Sequence, residues 1–228
     1  MEFQRSNSLN NIPAKKLNEA LANVTDDKDK AIKLTAINRY AESNIPVEYW
    51  NIKMDKDFTG DSRLLEKYNS YISDIKASYI NGKSICFAGH HGLGKTFICT
   101  SILKVACHKG YSCLYSDISN IITVLTQAHI DDKFIAKREL TMVDFLVVDE
   151  LDPRFFNASE SAMELFAKSF ENILRTRRQN KLPTLVCTNS PNIIESFSGP
   201  LKESLSSLFS DKMEMFPIFG NDFRKMKG

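Results

Sequence analysis

Over the first third of the chain the apolar residues recur at helical spacing. Ala31, Leu34, Ile37, Tyr40 and Ala41 share one face after Asp26, which predicts a helix ending before Asn44-Ile45-Pro46. Leu64, Tyr68, Tyr71, Ile72, Ile75 and Tyr79 form a second stripe, closed by Asn81-Gly82 and read as core packing. The first 25 residues are polar, rich in Asn and Ser and without a helical apolar period, so they read as a flexible arm.

After Gly82 the rhythm changes to strands alternating with helices. Ser84 to Ala88 reads as a strand, Lys95 to His108 as a helix stopped by Gly110, and Ser112 to Ser116 as a second strand. A helix over Ile118 to Ala128 follows, capped by Asp117. Asp144 to Asp149 is an apolar run with polar ends, the pattern of a strand covered on both faces. Asn157 with Glu160 three residues on predicts the start of a long helix carrying Met163, Phe166, Phe170 and Ile173. Thr184 to Thr188 and Met215 to Phe219 complete the strands, and Ser190-Pro191 reads as a helix start. The class is therefore α/β, a parallel sheet with helices on both faces.

Of the 228 residues, 43% are hydrophobic and 25% charged, in line with one sizeable domain and a short appendage. No apolar run approaches the roughly 18 residues of a membrane span, and no apolar block follows the polar start, so secretion and membrane insertion are not expected. The five cysteines form no C-x-x-C pair, which fits a reducing, cytoplasmic setting and not a zinc site. The formal net charge of +2 excludes a globally basic nucleic-acid binder but conceals local structure. Residues 81–140 carry 7 basic and 4 acidic side chains, whereas residues 141–160 carry 1 and 5. Such neighbouring opposites are expected where phosphate and a metal ion meet.

Gly89-His90-His91-Gly92-Leu93-Gly94-Lys95-Thr96, followed by Phe97, fits G-x-x-x-x-G-K-[ST] between a predicted strand and a predicted helix. Its glycines let consecutive amides and the helix N-terminus face phosphate oxygens. Lys95 would reach the β- and γ-phosphates and the Thr96 hydroxyl would hold Mg²⁺. His90 and His91 occupy free positions of the loop and read as solvent-facing. Downstream, Asp149 and Glu150 end a buried strand, where open α/β sheets bind ligands. Asp149 would hold the Mg²⁺ and Glu150 would deprotonate the attacking water, although an acidic pair at a strand end can also be a helix cap. Asn189 ends a third buried strand and reads either as a sensor between γ-phosphate and water or as a cap. Tyr49 or Trp50 is a candidate to stack on adenine, or else packs in the core.

With these motifs the chain resembles the AAA+ family, and within it the DnaC/DnaI/IstB group of helicase loaders and transposition helpers. The resemblance spans about residues 37–225 and includes Ile45-Pro46, both nucleotide motifs, Arg177 to Thr184 leading into Thr188-Asn189-Ser190, and the tail Phe219 to Arg224. It implies a P-loop core over residues 83–219 with a five-stranded parallel sheet, within an ATPase domain of residues 51–228. Nine residues remain after Phe219, so no helical lid is expected. It also implies an N-terminal partner-binding arm over residues 1–50, ATP and Mg²⁺ as ligands, a replicative hexameric DNA helicase and single-stranded DNA as partners, and self-association through the ATP sites. Lys133, Lys137 and Arg138 become candidate DNA contacts, or a solvated charged loop. Relatives often place an arginine finger before the last strand, but here the segment reads Ser210-Asp211-Lys212-Met213. Either Lys212 substitutes weakly, or Arg175 or Arg178 serves, or assembly-dependent hydrolysis is impaired; hydrolysis by an isolated subunit is expected to be slow. The alternatives are an IstB-type transposition helper acting with a transposase on duplex DNA, or a non-catalytic helicase-binding adaptor that uses ATP structurally.

Overall fold

Five apolar runs fold as five-residue strands: β1 (Ser84–Ala88), β2 (Cys113–Asp117), β3 (Phe145–Asp149), β4 (Thr184–Thr188) and β5 (Met213–Pro217). The computed structural model describes residues 14–22, 26–152, 154, 160–190, 192–196 and 199–220. The strands pair in parallel in the order β2-β3-β4-β1-β5. Helices make the crossovers that parallel pairing requires. α6 (Lys95–His108) joins β1 to β2, α7 (Ile118–Gln127) and α8 (Ile130–Met142) join β2 to β3, and α9 (Glu160–Gln179) joins β3 to β4. A 3-10 turn (Ile193–Ser196) and α10 (Gly199–Lys212) lead into β5. Among the described residues five α-helices precede the sheet: α1 (Ala14–Leu21), α2 (Asp27–Glu42), α3 (Met54–Asp57), α4 (Ser62–Ile72) and α5 (Ile75–Ile80).

The alternation of a strand's side chains divides the core in two. Ile85, Phe87, Phe145, Val147, Leu185 and Cys187 face α6 and the N-terminal helices, where Ile37, Leu64 and Tyr71 are buried with them. Cys86, Leu146, Val148 and Val186 face the other way, against Ile121, Leu140, Phe166, Phe170 and Phe209. β3 and β4 are buried along their whole length, whereas edge strand β5 is half open. Four helices start on an aspartate whose side chain accepts a first-turn amide: Asp26, Asp61, Asp74 and Asp117. Each such cap contributes about 1 kcal/mol.

At the N-terminal ends of the strands Arg177 is completely buried. Its guanidinium donates to Thr184 Oγ1 at 2.9 Å and to the carbonyls of Pro183 at 2.7 Å, Val143 at 2.8 Å and Leu140 at 3.1 Å. One side chain thus ties α9 to the end of α8 and to the approaches of β3 and β4. Burial pushes its pKa down to about 9, with Asp144 opposing.

Several expectations are corrected. The polar start contains a helix over Ala14–Leu21, because Leu17, Ala20 and Leu21 make a one-sided stripe short enough to be lost among polar neighbours. The second stripe is two helices, broken where Asp74 leaves helical geometry (φ −135°, ψ 71°) and accepts from the Ala77 amide to start α5. Residues 27–50 are not separate from the nucleotide core: Tyr40, Ala41, Ile45 and Trp50 share the α6 cluster, and the Tyr115 amide donates to the Ser43 carbonyl at 2.8 Å. Lys133, Lys137 and Arg138 lie on α8 and not on a loop. The last strand begins at Met213, two residues earlier than expected, set by pairing of Ser84 to Ala88 with Met213 to Pro217. After β4 a short 3-10 turn replaces the expected helix, and the Leu205, Leu208 and Phe209 stripe makes α10, an element the sequence reading passed over. Asn157, Pro191 and the tail residues 221–228 lie outside the described residues.

Candidate functional site

The chain leaves β1 at Ala88 and enters α6 at Lys95, with the glycine loop between. Gly92 and Gly94 have φ of 78° and 85°, in the left-handed region where a side chain is strained. A Cβ on Gly94 would also stand 2.6 Å from Phe58 Cε2, and one on Gly89 2.5 Å from the Ile218 carbonyl oxygen. Gly94 provides no side-chain cap for α6. The first amides of a helix lack internal partners, and the helix dipole adds positive potential there, so this N-terminus suits an anion. Lys95 is 7% exposed, and its ammonium donates to the carbonyls of Gly89 at 2.8 Å and His90 at 2.6 Å.

β3 delivers the acidic pair to the same place. The carboxylate of Asp149, 3% exposed, accepts from the Tyr115 hydroxyl at 2.7 Å and from the Glu150 amide at 2.8 Å. Glu150 has φ of 54°, an uncommon and costly conformation for a residue with a side chain. Burial pushes its carboxyl above the usual range, Asp149 and Asp117 adding and His91 and Arg154 opposing. The Leu151 amide donates to the Cys187 carbonyl at 2.9 Å, fixing the end of β3 against the β4 end that carries Asn189.

Lys95, Thr96, Asp149, Glu150 and Asn189 line one cavity of about 590 Å³. The same cavity is lined by Pro46, Tyr49, Ile52, Phe58 and Phe97, with Glu48, Asp57 and Thr59 among them. The rings of Tyr49 and Phe97 meet edge to face at 6.4 Å, and those of Phe58 and Phe97 lie tilted at 5.5 Å. A helix N-terminus and aromatic rings in one cavity suit a nucleotide. Thr96 and Asp149 offer a hydroxyl and a carboxylate, the hard oxygens that Mg²⁺ takes. Among the described residues no three His, Cys, Asp or Glu side chains form a metal cage. A Mg²⁺ held here would draw its remaining ligands from phosphate and water.

Of the residues singled out in the sequence, Gly92, Gly94, Lys95, Thr96, Phe97, Asp149, Glu150 and Asn189 converge on the cavity. His91 is exposed at the rim of the cavity, with Nε2 3.2 Å from Arg154 Nη2. Arg154 in turn grips both oxygens of Asp152 at 2.9 Å. His90 is exposed and takes part through its carbonyl. Leu93, named with the phosphate loop, buries its side chain in the core. Tyr49 is on the cavity wall, while Trp50 is a core residue whose indole donates to the Ile45 carbonyl at 2.8 Å.

The remaining candidates lie elsewhere. Lys133 donates to the Thr126 carbonyl at 2.9 Å, capping α7, whereas Lys137 and Arg138 are exposed on α8. Arg178 lines a crevice with Asn81, Gly82 and Lys181 at the N-terminal ends of the strands, opposite the cavity. Arg175 pairs with Glu171 at 2.6 Å, and the side chain of Lys212 lies outside the described residues. Sequence reasoning missed Tyr115, Pro46 and Phe58. Tyr115 sits opposite Val147 in the sheet, and only that register brings its hydroxyl to Asp149.

Known proteins share the family and the fold. The IstB-like ATP binding protein model matches residues 50–181, more than half of the chain. Among curated proteins none matches the sequence. The structure of the DnaC helicase loader is similar, with TM-score 0.60 at 20% identity over 75% of this chain and 99% of that one. So is the structure of DnaI, with TM-score 0.60 at 17% identity over 78% and 93%. The replication initiator DnaA bound to AMPPCP and single-stranded DNA aligns with TM-score 0.56 at 18% identity over 75% of this chain. The chain spans about half, 51%, of that initiator's length. At these identities the structural likeness speaks for the fold. Among the described residues no helix is long and apolar enough to cross a membrane. A phosphate loop, an acidic strand end and a polar strand end meet on one parallel sheet, and the chain belongs to the IstB-like ATP-binding family, with a P-loop AAA+ fold of the DnaC/DnaI type.

Proposed function

We propose that the protein hydrolyses ATP and uses the nucleotide state to control its association with a replicative hexameric DNA helicase and single-stranded DNA. The observation that carries hydrolysis is the convergence of Lys95, Asp149, Glu150 and Asn189 from three strand ends on one cavity. Bound Mg²⁺, held by Thr96 and Asp149, would neutralise charge on the phosphate oxygens. Lys95 exchanges its two loop carbonyls for phosphate oxygens, and the α6 N-terminus orients the rest of the chain of phosphates. Glu150 accepts the proton of the attacking water as its oxygen bonds to the γ-phosphorus; the bond to the bridging oxygen breaks and leaves ADP. The raised proton affinity of Glu150 suits a base, and Asn189 orients the water. Turnover by a single subunit is slow, because no neighbouring subunit supplies a cation to its site.

The likeness to structures titled as helicase loaders, and to an initiator titled as bound to single-stranded DNA, supports the partner assignment. On α8, Phe134 is 70% exposed beside the exposed Lys137 and Arg138. An aromatic platform with flanking cations suits bases and backbone of a single strand. Of the arm expected over residues 1–50, the part that precedes the nucleotide core, residues 1–26, is the proposed partner-binding segment. The test is a pull-down with residues 1–26 present and deleted, combined with ATPase assays with and without helicase and single-stranded DNA. Recovery of a hexameric helicase that depends on the segment is expected.

The family match favours one second reading, a transposition helper of the IstB type. Preference for duplex DNA and recovery of a transposase would select it. No hydrolysis in the presence of helicase and single-stranded DNA would instead select an adaptor that uses ATP structurally.

A further inference from the structure

Lys104 lies on α6, nine residues beyond the phosphate-loop lysine and so about 13–14 Å along the same helix. It is only 8% exposed. Its ammonium donates to the Tyr49 carbonyl at 2.6 Å and, in a very short contact, to the Ile52 carbonyl. Burying an ammonium costs several kcal/mol unless its protons are taken up, and an apolar side chain would have filled the space at less cost. The two carbonyls take up what burial removes. Burial nevertheless pushes the ammonium pKa down to about 8, with Asp57 opposing and Lys53 adding.

The segment that Lys104 holds is a partition. On one side, Tyr49 and Ile52 line the nucleotide cavity. On the other, Ile52 and Lys104 line a second cavity of about 610 Å³ beside Tyr40, Trp50 and His108. Local hydrogen bonds run from Tyr49 N–H to the Pro46 carbonyl, from Trp50 N–H to that of Val47 and from the Trp50 indole to that of Ile45. They shape the turn, and the Tyr49 ring packs against Phe97 of α6. Lys104 adds a polar link at the carbonyls of Tyr49 and Ile52, to the helix whose first turn would meet the phosphates.

We propose that Lys104 is a positioning residue for the base of the nucleotide. It holds the Tyr49–Ile52 wall at a set distance from the phosphate loop, so that a flat heteroaromatic base enters a slot that is already formed. Pre-forming the slot removes an ordering cost from binding and adds to affinity only for ligands that carry a base. The inference rests on the reading of residues 89–96 as the triphosphate site.

The experiment compares ATP with inorganic tripolyphosphate, which has the phosphates and no base, by calorimetric titration of the wild-type chain, Lys104→Met and Lys95→Ala. Wild type should bind ATP more tightly than tripolyphosphate. Lys104→Met should weaken ATP about tenfold, the effect of about 1.4 kcal/mol, and leave tripolyphosphate within about twofold. An unchanged ratio of the two affinities in a Lys104→Met protein that binds both would overturn the proposal and leave the phosphate site intact. Failure of wild type to bind either ligand, or tripolyphosphate binding indifferent to Lys95→Ala, would remove the phosphate-site reading and the proposal with it. Should Lys104→Met lose tripolyphosphate as well, the fold at α6 has been damaged. Lys104→Gln, which keeps a two-donor head, then decides by the same ratio: a value as in wild type supports the proposal if Lys104→Ala lowers it, and equal ratios in both overturn it.

Discussion

Two buried cations stand at opposite ends of the sheet, and the main chain satisfies both. Arg177, at the N-terminal ends of the strands, spreads its fork over five carbonyls and a hydroxyl from the end of α8 and the approaches to β3 and β4. Lys95, at the C-terminal ends, donates to two carbonyls of its own loop and lines an open cavity. The difference separates structure from function. A planar fork whose directions are all used cannot turn to a ligand without breaking the fold, whereas a rotatable ammonium can exchange loop carbonyls for phosphate oxygens. Left-handed backbone occurs at both ends, at Gly82, Gly110 and Lys181 before strands and at Gly92, Gly94 and Glu150 after them, but only the C-terminal ends bring it together with the acidic pair.

The contrast is broken most directly at its two cations. Lys95→Ala should abolish binding of a fluorescent ATP analogue, a loss of about a hundredfold or more, while leaving the urea midpoint of the nucleotide-free protein close to wild type. Unchanged titration would sink the phosphate-loop role. Arg177→Ala should do the reverse and cost about 3–5 kcal/mol of stability, because five carbonyls and a hydroxyl lose a charged donor. Below the onset of unfolding, its nucleotide affinity should match wild type. A folded Arg177→Ala with full stability would show that water replaces the fork.

Smaller effects sharpen the functional end. Glu150→Gln should lower turnover at least about a hundredfold with little change in ATP affinity, as expected for loss of a general base. Equal hydrolysis rates would refute the assignment. Tyr115→Phe removes the hydroxyl donated to Asp149 and should cut Mg²⁺-dependent turnover about tenfold. The smallest expected effect is a pH shift. Glu150 acts as the carboxylate and its pKa is raised, so turnover should climb with pH along an acid limb above the usual carboxylate range. Asp117→Asn keeps the cap on α7 but removes one of the charges that raise Glu150, so it should move that limb to lower pH.

Legibility in the sequence follows from range of interaction. β1 and β4 match their predicted limits and β3 begins one residue later, because buried parallel strands are continuous apolar runs between breakers. The phosphate loop was legible because its glycines, lysine and hydroxyl are contiguous. By contrast, β5 is a half-exposed edge strand, and its limits depend on pairing with β1. α10 carries a Leu205, Leu208 and Phe209 stripe at helical spacing, a signal local to the chain. Tyr115, Phe58 and Pro46 carry no local signal as site residues. Their roles come from where neighbouring strands and the N-terminal segment happen to lie.

What the sequence determined alone is the alternation of helix and strand, the phosphate loop, and the identity of the acidic and amide strand ends, since these depend on periodicity and on residues adjacent in the chain. Tertiary structure alone decided that residues 27–50 join the nucleotide core, that Tyr115 meets Asp149, and that Lys104 fastens Tyr49 and Ile52 to α6. Those are contacts between residues far apart in sequence. Buried polar groups and ammonium ions must find partners wherever the fold brings donors and acceptors together, and no local pattern records which partners those will be.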